Sequence, residues 1–371
     1  MKLGLRYILV TTAFCVGAGG CAAPSRVVTY NGGHAHTGYY DSRPLRELRG
    51  LKWKYDTGAT LVTSPLLAHD GTLYFGDGDG WFHAVDIQSG KEKWRFNAGK
   101  TVAGCPTIFR DRAYWGCGAG ILYVLDPHTG KELGRFETTG RVKNRDGSIC
   151  FPPLVHKGIV YFTSHDSCLY ALDAGSLDLK FSLKTENSMC CSPSLWDNLI
   201  FLSNVSGYVS AIDLNERALR WRFKAGKNVY HAPAVAEGVA YFCSHDHFAY
   251  AVDAATGEEI WRFEADGAIS KEPAVRDGVV YFNTLLSHLY ALDAKSGRLI
   301  WDLRTEGKAY SKAIVAGDVV YWGSGDHNLY AVSAPSGRIL WQFQADDAVN
   351  YPGCHDGMVF FGSGGSVYAL E

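Results

Sequence analysis

Residues 232–263, APAVAEGVAYFCSHDHFAYAVDAATGEEIWRF, decide the fold. They contain four short runs rich in alanine, valine and aromatic residues, with turns at Glu237-Gly238 and around Gly257. Two-residue turns that end in glycine and separate apolar runs indicate β-hairpins. Because the runs lack the 3.6-residue spacing of apolar side chains that a helix requires, this stretch is predicted to form four antiparallel strands.

The same unit recurs along most of the chain. Its most regular part is an apolar pair followed by an acidic or small residue, seen at Ala84-Val85-Asp86, Val124-Leu125-Asp126, Ala171-Leu172-Asp173, Ala211-Ile212-Asp213, Ala251-Val252-Asp253, Ala291-Leu292-Asp293, Ala331-Val332-Ser333 and Ala369-Leu370-Glu371. Successive third positions are 40, 47, 40, 40, 40, 40 and 38 residues apart. Four strands per forty residues is the length of one propeller blade. The sequence therefore predicts an all-β protein, an eight-bladed β-propeller of four-stranded antiparallel blades.

The two ends of the repeat region predict how the propeller closes. The eighth unit stops at Glu371, just after its third strand, and an unpaired fourth-strand sequence, residues 51–55, precedes the first full unit. We expect this N-terminal strand to complete the last blade, which removes two exposed sheet edges. The propeller is accordingly assigned to residues 49–371.

The N-terminus has the features of an export signal. Lys2 and Arg6 precede an apolar stretch over residues 7–16, and small residues at 17–20 lead to Cys21. This resembles a lipoprotein signal, so residues 1–20 are predicted to be a signal peptide and Cys21 the lipid-bearing residue. Cleavage after Ala23, or an uncleaved anchor, is the alternative. Residues 21–48 are then an entry segment or linker.

Charge and composition limit the classes of molecule that the protein is expected to bind. The formal net charge of −2 gives no electrostatic case for nucleic acid. After the signal segment, no apolar run approaches the roughly twenty residues needed to span a bilayer. An exported compartment permits disulfides, but the sequence does not determine their connectivity among Cys105, Cys117, Cys150, Cys168, Cys190, Cys191, Cys243 and Cys354.

A tryptophan motif identifies a family. The pattern Ala-x-Asp-x-x-x-Gly-x-x-x-Trp resembles the tryptophan-docking motif of PQQ-type (quinoprotein-like) propeller repeats, and it covers the chain from about residue 50 to the end. The resemblance implies that flat indoles pack on neighbouring blades, which we assign to Trp53, Trp94, Trp221, Trp261, Trp301 and Trp341. Gly134 and Phe181 replace tryptophan in the second and third units, and we expect Glu216 to replace the turn glycine in the fourth, with weaker contacts there.

The resemblance implies two different functions. One is a protein-interaction platform, as in the BamB-type outer-membrane assembly lipoproteins, whose plan this chain follows most closely. The other is a quinoprotein dehydrogenase, in which PQQ and calcium lie over the propeller axis. The vicinal pair Cys190-Cys191 favours the enzyme, because a similar disulfide contacts the quinone in that family. The long inter-blade insertions of the enzymes are missing, except for seven extra residues near Arg141.

Two further groups of side chains contain residue types that bind metals. Cys150, Cys191 and His231 are predicted to lie at equivalent positions of consecutive inner strands, with His165 opposite Cys150, which could form a soft tetrahedral zinc site. Disulfide formation or simple packing of these cysteines are the alternatives. Residues 31–38 resemble the entry segment of exported propellers, and we interpret His34 and His36 as loop residues against the propeller wall.

No Gly-x-Ser-x-Gly elbow, His-Glu-x-x-His helix or phosphate loop is present. The sequence therefore predicts a monomeric, non-catalytic scaffold of the bacterial cell envelope. We expect it to be held at the outer membrane by its lipid or to lie in the periplasm. Its expected partner is an envelope protein such as the outer-membrane assembly machinery, and no cofactor is expected. A PQQ- and calcium-dependent dehydrogenase is the alternative.

Overall fold

The computed structural model describes residues 27–29, 33–138, 148–185, 191–308 and 311–371. Over these ranges the chain forms β-strands and turns without a helix, in eight antiparallel sheets. The first strands of neighbouring sheets contact one another, which arranges the sheets as blades around a central axis. The predicted eight-bladed β-propeller is confirmed.

The first four blades each contain four consecutive strands. From the axis outward they are Leu67–His69, Thr72–Gly76, Trp81–Asp86 and Glu92–Asn97 in blade 1; Thr107–Ile108, Ala113–Gly116, Ile121–Leu125 and Glu132–Glu137 in blade 2; Leu154–His156, Ile159–Ser164, Cys168–Asp173 and Leu179–Lys184 in blade 3; and Ser194–Trp196, Leu199–Ser203, Tyr208–Asp213 and Ala218–Lys224 in blade 4.

The other blades follow the same order, and the last one combines both ends of the chain. The strands are Ala234–Ala236, Val239–Cys243, Phe248–Asp253 and Glu259–Glu264 in blade 5; Ala274–Arg276, Val279–Asn283, His288–Asp293 and Leu299–Arg304 in blade 6; Ala313–Ala316, Val319–Gly323, Asn328–Ser333 and Ile339–Gln344 in blade 7; and Val349–His355, Met358–Ser363, Ser366–Leu370 and Leu51–Asp56 in blade 8.

The N-terminal strand closes the ring as predicted. Leu51–Asp56 pairs antiparallel with Ser366–Leu370, and Trp53 lies opposite Ala369. The backbone N–H of Arg49 donates to the carbonyl of Glu371 over 2.6 Å, which ties the end of the chain to the start of the propeller.

Burial explains the sequence pattern of the blades. The second strand Thr72–Gly76 is buried at all five positions because blades cover both of its faces. The outer strand Glu259–Glu264 instead buries Trp261 and exposes its neighbours to solvent. Continuous apolar runs therefore form middle strands, and alternating runs form the outer edge.

Five tryptophans join one blade to the next, and a sixth, Trp341, joins blade 7 to the entry segment. Each indole N–H donates to a backbone carbonyl over 2.8–3.0 Å, in the pairs Trp53–Ile87, Trp94–Pro127, Trp221–Ala254, Trp261–Ala294, Trp301–Ala334 and Trp341–Leu45. In five of these junctions a motif glycine lies against the indole. At Gly297, for example, an added Cβ would be 2.8 Å from the Trp261 ring, and φ is +69°. The glycine therefore serves both the turn and the close approach of the indole.

Two junctions differ from the pattern, and one expectation is corrected there. Arg217, not Glu216, occupies the turn-glycine position of blade 4, with φ of 52°, and its guanidinium lies 5.2 Å from the ring centroid of Phe181. In blade 3 the same position is Leu177, whose Cδ1 would lie 3.1 Å from a Cβ on Gly134. Where the glycine becomes a larger residue, the facing tryptophan becomes a smaller one, so the junction remains filled.

The entry segment lies inside the propeller channel. Carbonyl oxygens of four of its residues accept backbone N–H groups from the middle of four successive inner strands, in the pairs His34–Leu195, Ala35–Val235, Thr37–Val275 and Gly38–Val315. Tyr39–Tyr40 then continues as a short strand parallel to the inner strand of blade 7. As expected, this segment packs against the propeller, and it does so on the wall of the axial channel.

In the part of the chain that the structure describes, no helix is long and apolar enough to cross a membrane. Cys105, Cys117, Cys168, Cys243 and Cys354 form no disulfide with one another. The predicted signal peptide, Cys21, Cys190 and most of the extra residues near Arg141 lie outside the described residues.

Candidate functional site

The axial channel contains a cavity of about 480 Å³, which we call the axial cup. Its lining includes His36 of the entry segment, which is buried. The cup lies at the level of Ser192 and Ala232, just before the inner strands, whereas the entry segment binds those strands three residues later at Leu195 and Val235. Three residues of strand span about 10 Å. The entry segment therefore closes one end of the cup, and the segments between blades surround the other.

One position of the repeat contributes to the wall in seven blades. It lies two residues before the inner-strand residue that pairs with the third residue of the second strand. In these blades it is Pro65, Pro152, Ser192, Ala232, Glu272, Lys312 and Tyr351. The side chains are small or apolar up to blade 5 and are charged in blades 6 and 7. The wall is therefore asymmetric, with its ionic groups on one side.

Three side chains form a buried ionic cluster on that side. Oε2 of Glu272 lies 2.9 Å from Nδ1 of His231, and Oε1 lies 3.3 Å from Nζ of Lys312. The side chains of Glu272 and Lys312 are only 7% and 4% exposed. A buried charge is tolerated when it is paired, so each group depends on the others.

The electrostatics of the cluster follow from burial and pairing. Burial alone would raise the pKa of Glu272, but His231 and Lys312 outweigh it and hold that pKa well below its ordinary value. Burial lowers the pKa of Lys312 to about 8, although Glu272 opposes the change. At neutral pH the cluster therefore contains an ionised carboxylate and a largely protonated lysine.

Lys271 also lines the cup and is placed differently. Its Nζ lies 5.9 Å from the ring centroid of Tyr351, and no carboxylate among the described residues lies within ion-pair distance of it. Burial lowers the pKa of this lysine. The cup thus contains one ammonium group without a counter-ion from the described chain.

Aromatic rings complete the lining. Tyr230 and His245 pack edge to face with centroids 4.7 Å apart, and Phe151 and His231 do so at 5.9 Å. At the closed end, burial lowers the pKa of His36 to about 3, which keeps its imidazole neutral at ordinary pH. The cup is therefore mainly apolar and carries its charge on one wall.

The four residues proposed as metal ligands are not brought together. Cys150 and His231 line the cup, whereas the sulfur of Cys191 turns into blade 4, where the backbone N–H of Ser203 donates to it over 3.3 Å. The register also differs from the prediction: Cys150 is four residues before its inner strand, and Cys191 and His231 are three residues before theirs. The N–H of His165 donates to the carbonyl of Ser148, and His165 does not line the cup. Over the described ranges, no three metal-binding side chains converge on one point.

The sequence analysis missed Lys271, Glu272 and Lys312. Their signal is present in the repeat, because Glu272 and Lys312 stand where Ser192 and Ala232 stand in the preceding blades. Adjacent blades with opposite charges at one inner position predict an ion pair at the axis. The equivalence is visible in the sequence, because Ser192, Ala232 and Glu272 each stand directly before a proline.

The cup does not fit a PQQ–calcium group. Calcium takes six to eight oxygen ligands, mainly carboxylates, amides and carbonyls. Among the described residues that line the cup, Glu272 is the single carboxylate, and His231 and Lys312 already occupy its two oxygens. Lys271 and Lys312 would in addition repel a cation. We derive no reaction step through this group.

Both classes of protein that the repeat motif implied, quinoprotein dehydrogenases and BamB, include proteins that are similar to this chain. A stretch of 94 residues, 25% of this chain, is 30% identical to the lanthanide-dependent methanol dehydrogenase of Methylacidiphilum fumariolicum (strain SolV), but the match spans only 15% of that enzyme. The crystal structure of BamB from Moraxella catarrhalis superposes with a TM-score of 0.73 at 16% identity, over 87% of this chain and 99% of that one. The quinohemoprotein alcohol dehydrogenase ADHIIG of Pseudomonas putida HK5 superposes with a TM-score of 0.78 at 15% identity, over 91% and 79%.

Structural similarity at these identities shows the shared fold alone. The family model described as "Outer membrane protein assembly factor BamB" matches residues 49–222, 205–350 and 287–371, which together include every blade. The chain therefore belongs to this BamB-type family of PQQ-like propeller proteins.

Proposed function

We propose that this protein is a non-catalytic interaction scaffold of the bacterial cell envelope that takes part in outer-membrane protein assembly. The observation that carries the proposal is the engagement of Glu272, the cup's carboxylate, by His231 and Lys312. The side chains at the axis are used to hold one another and not to supply oxygen ligands to a catalytic cation. The family match over residues 49–371 supports the same function.

The proposal includes the N-terminal features predicted from the sequence. Cys21 would carry the lipid, and residue 27 already lies beside the inner strand of blade 2, where Val28 pairs with Ile108. Six residues of extended chain span about 20 Å. A lipid at Cys21 would therefore hold the membrane near the end of the channel that the entry segment closes, and the open end of the cup would face the periplasm.

A pull-down from envelope membranes tests the scaffold. Tagged full-length protein should recover components of the outer-membrane assembly machinery, identified by mass spectrometry, after crosslinking in intact cells. A Cys21→Ala variant is the control for the anchor, and it should lose the membrane fraction and palmitate labelling. Recovery of no assembly component from wild-type cells would contradict the proposal.

A dehydrogenase remains the second candidate, and the match to 94 residues of a methanol dehydrogenase favours it. This candidate requires the purified protein to bind PQQ with calcium and to reduce an artificial electron acceptor with an alcohol. The ligands of the cup argue against the calcium part of that requirement.

A further inference from the structure

The cup has an unbalanced positive charge. Lys271 and Lys312 line it together with one carboxylate, Glu272, which Lys312 and His231 already contact. Nζ of Lys271 lies 5.9 Å from the ring centroid of Tyr351, and the side chain is half-buried. Glu272 also acts on Lys271 electrostatically, but one carboxylate cannot balance two ammonium groups. The excess positive charge of the cup favours an anionic ligand.

The shape of the cup limits the size of that anion. Its volume of about 480 Å³ falls within the range of about 300–1,000 Å³ that is typical of small-molecule sites. The entry segment closes one end through four backbone hydrogen bonds, so a ligand would enter from the inter-blade side.

The lining indicates the rest of the ligand. Phe151, Tyr230 and Leu285 present rings and a branched apolar side chain to the cup, opposite or beside the ionic wall. Such surfaces favour a flat or apolar body over a fully hydrated ion such as phosphate. A site with one cation and an apolar remainder suits a molecule with one acidic group.

We propose that the axial cup binds a small aromatic or apolar organic acid, whose carboxylate pairs with Lys271 and whose body lies against Phe151 and Tyr230, without calcium. The Glu272–Lys312–His231 cluster has a positioning role, because the ion pair of Glu272 with Lys312 leaves the wall with one positive charge in excess, at Lys271. This proposal goes beyond the scaffold role and does not depend on it. The protein could recover the assembly machinery without binding an acid, or bind an acid without recovering the machinery.

Isothermal titration calorimetry with two matched probes tests the proposal. 2-Naphthoate carries the carboxylate, and 2-naphthamide has the same ring system without the charge. Wild-type protein should bind naphthoate at least about tenfold more tightly than naphthamide, because a charge-assisted hydrogen bond in a desolvated site contributes about that factor. Added salt should weaken naphthoate binding, and a calcium chelator should leave it unchanged.

Variants at Lys271 locate the interaction. Lys271→Met keeps the apolar stem and should lower naphthoate affinity about tenfold or more while leaving naphthamide affinity unchanged, which also shows that the cup remains folded. Lys271→Arg should stay within a few-fold of wild type because it keeps the cation. Lys295→Met, at an exposed turn of the same blade, is the matched control and should have no effect.

Four results would overturn the proposal. They are the absence of naphthoate binding by the wild-type protein, equal affinity for the two probes, unchanged naphthoate affinity in Lys271→Met, and a requirement for calcium. The last result would show that the cup binds a cation.

Discussion

Nζ of Lys312 lies 3.3 Å from Oε1 of Glu272, and both side chains are almost completely removed from solvent. The two residues stand at the same repeat position in neighbouring blades, so the curvature of the propeller brings them together at the axis. Their contact fixes which face of the channel is ionic. Because Glu272 also contacts His231, the stability of the cup should depend on this carboxylate.

Glu272→Gln should destabilise the protein strongly. Loss of the carboxylate leaves Lys312 buried near Lys271, and breaking a buried pair from one side typically costs about 3–5 kcal/mol. Urea unfolding of the variant measures this cost, with Glu264→Gln at the exposed end of an outer strand as the control. The double variant Glu272→Gln/Lys312→Met should recover much of the loss. Equal stability of Glu272→Gln and the control would show that the pair is not a structural element.

His36 should make the protein sensitive to mild acid. Burial lowers its pKa to about 3 from an ordinary value of 6.5, so below pH 6.5 the unfolded chain binds a proton that the folded chain excludes. The contribution of His36 to the free energy of unfolding should therefore be constant above pH 6.5 and should fall below it, by up to about 1.4 kcal/mol per pH unit. Glu272 adds a loss in the same direction only below about pH 4.5, because its pKa is also lowered.

His36→Asn isolates this effect between pH 4.5 and 6.5. Asparagine tolerates the left-handed backbone at this position, where φ is 54°, and does not titrate. The variant should lose less stability than wild type over that interval. His327→Asn is the control, since His327 is exposed and has a similar φ of 72°. A variant slope identical to the wild-type slope would contradict the burial of a neutral His36.

Gly38 should be essential to the closed end of the cup. A Cβ there would meet the Cβ of Ala274 at 2.8 Å, and φ is +64°. Gly58 has a similar φ of +78° but nothing within 4 Å of an added Cβ. Gly38→Ala should thus lower the melting temperature well beyond Gly58→Ala, which carries only the backbone cost of about 1–2 kcal/mol. Matching melting temperatures would mean that the entry segment does not pack as described.

The exchanged junction between blades 2 and 3 predicts coupled substitutions. Gly134→Trp alone should destabilise the protein, because Cδ1 of Leu177 lies 3.1 Å from the position of the new Cβ. Adding Leu177→Gly restores the usual pairing of glycine with tryptophan, so the double variant should be more stable than the sum of the single effects by about 0.5–3 kcal/mol. Additive effects in thermal unfolding would disprove the compensation.

The sequence predicted the fold well because its information is repeated. Each blade presents the same turn glycines, apolar middle strands and outer tryptophan, so an error in one unit is corrected by the other seven. Closure by residues 51–55 followed from counting strands, and the pairing of Leu51–Asp56 with Ser366–Leu370 confirms it.

The site was predicted less well because it depends on single positions that differ between blades. Aligning blade 3 on Pro152 instead of Pro153 placed Cys150 one residue out of register with Cys191 and His231. Cys191 and His231 share one register position but face different surroundings, which the sequence pattern does not reveal. A one-residue error of the same kind assigned the turn-glycine position of blade 4 to Glu216 instead of Arg217. The path of the entry segment through the channel could not be predicted from the repeat pattern, because this segment occurs only once in the sequence.

Thermal unfolding in the presence of PQQ, with and without calcium, tests the proposal that the axis of this propeller is not a quinoprotein active site. A ligand that binds only the folded state raises stability by mass action, by about 2.7 kcal/mol at a hundredfold excess over its dissociation constant. We expect no calcium-dependent rise in melting temperature and no reduction of an artificial electron acceptor with simple alcohols. A clear calcium-dependent rise together with alcohol-dependent dye reduction would contradict it and identify the protein as a dehydrogenase.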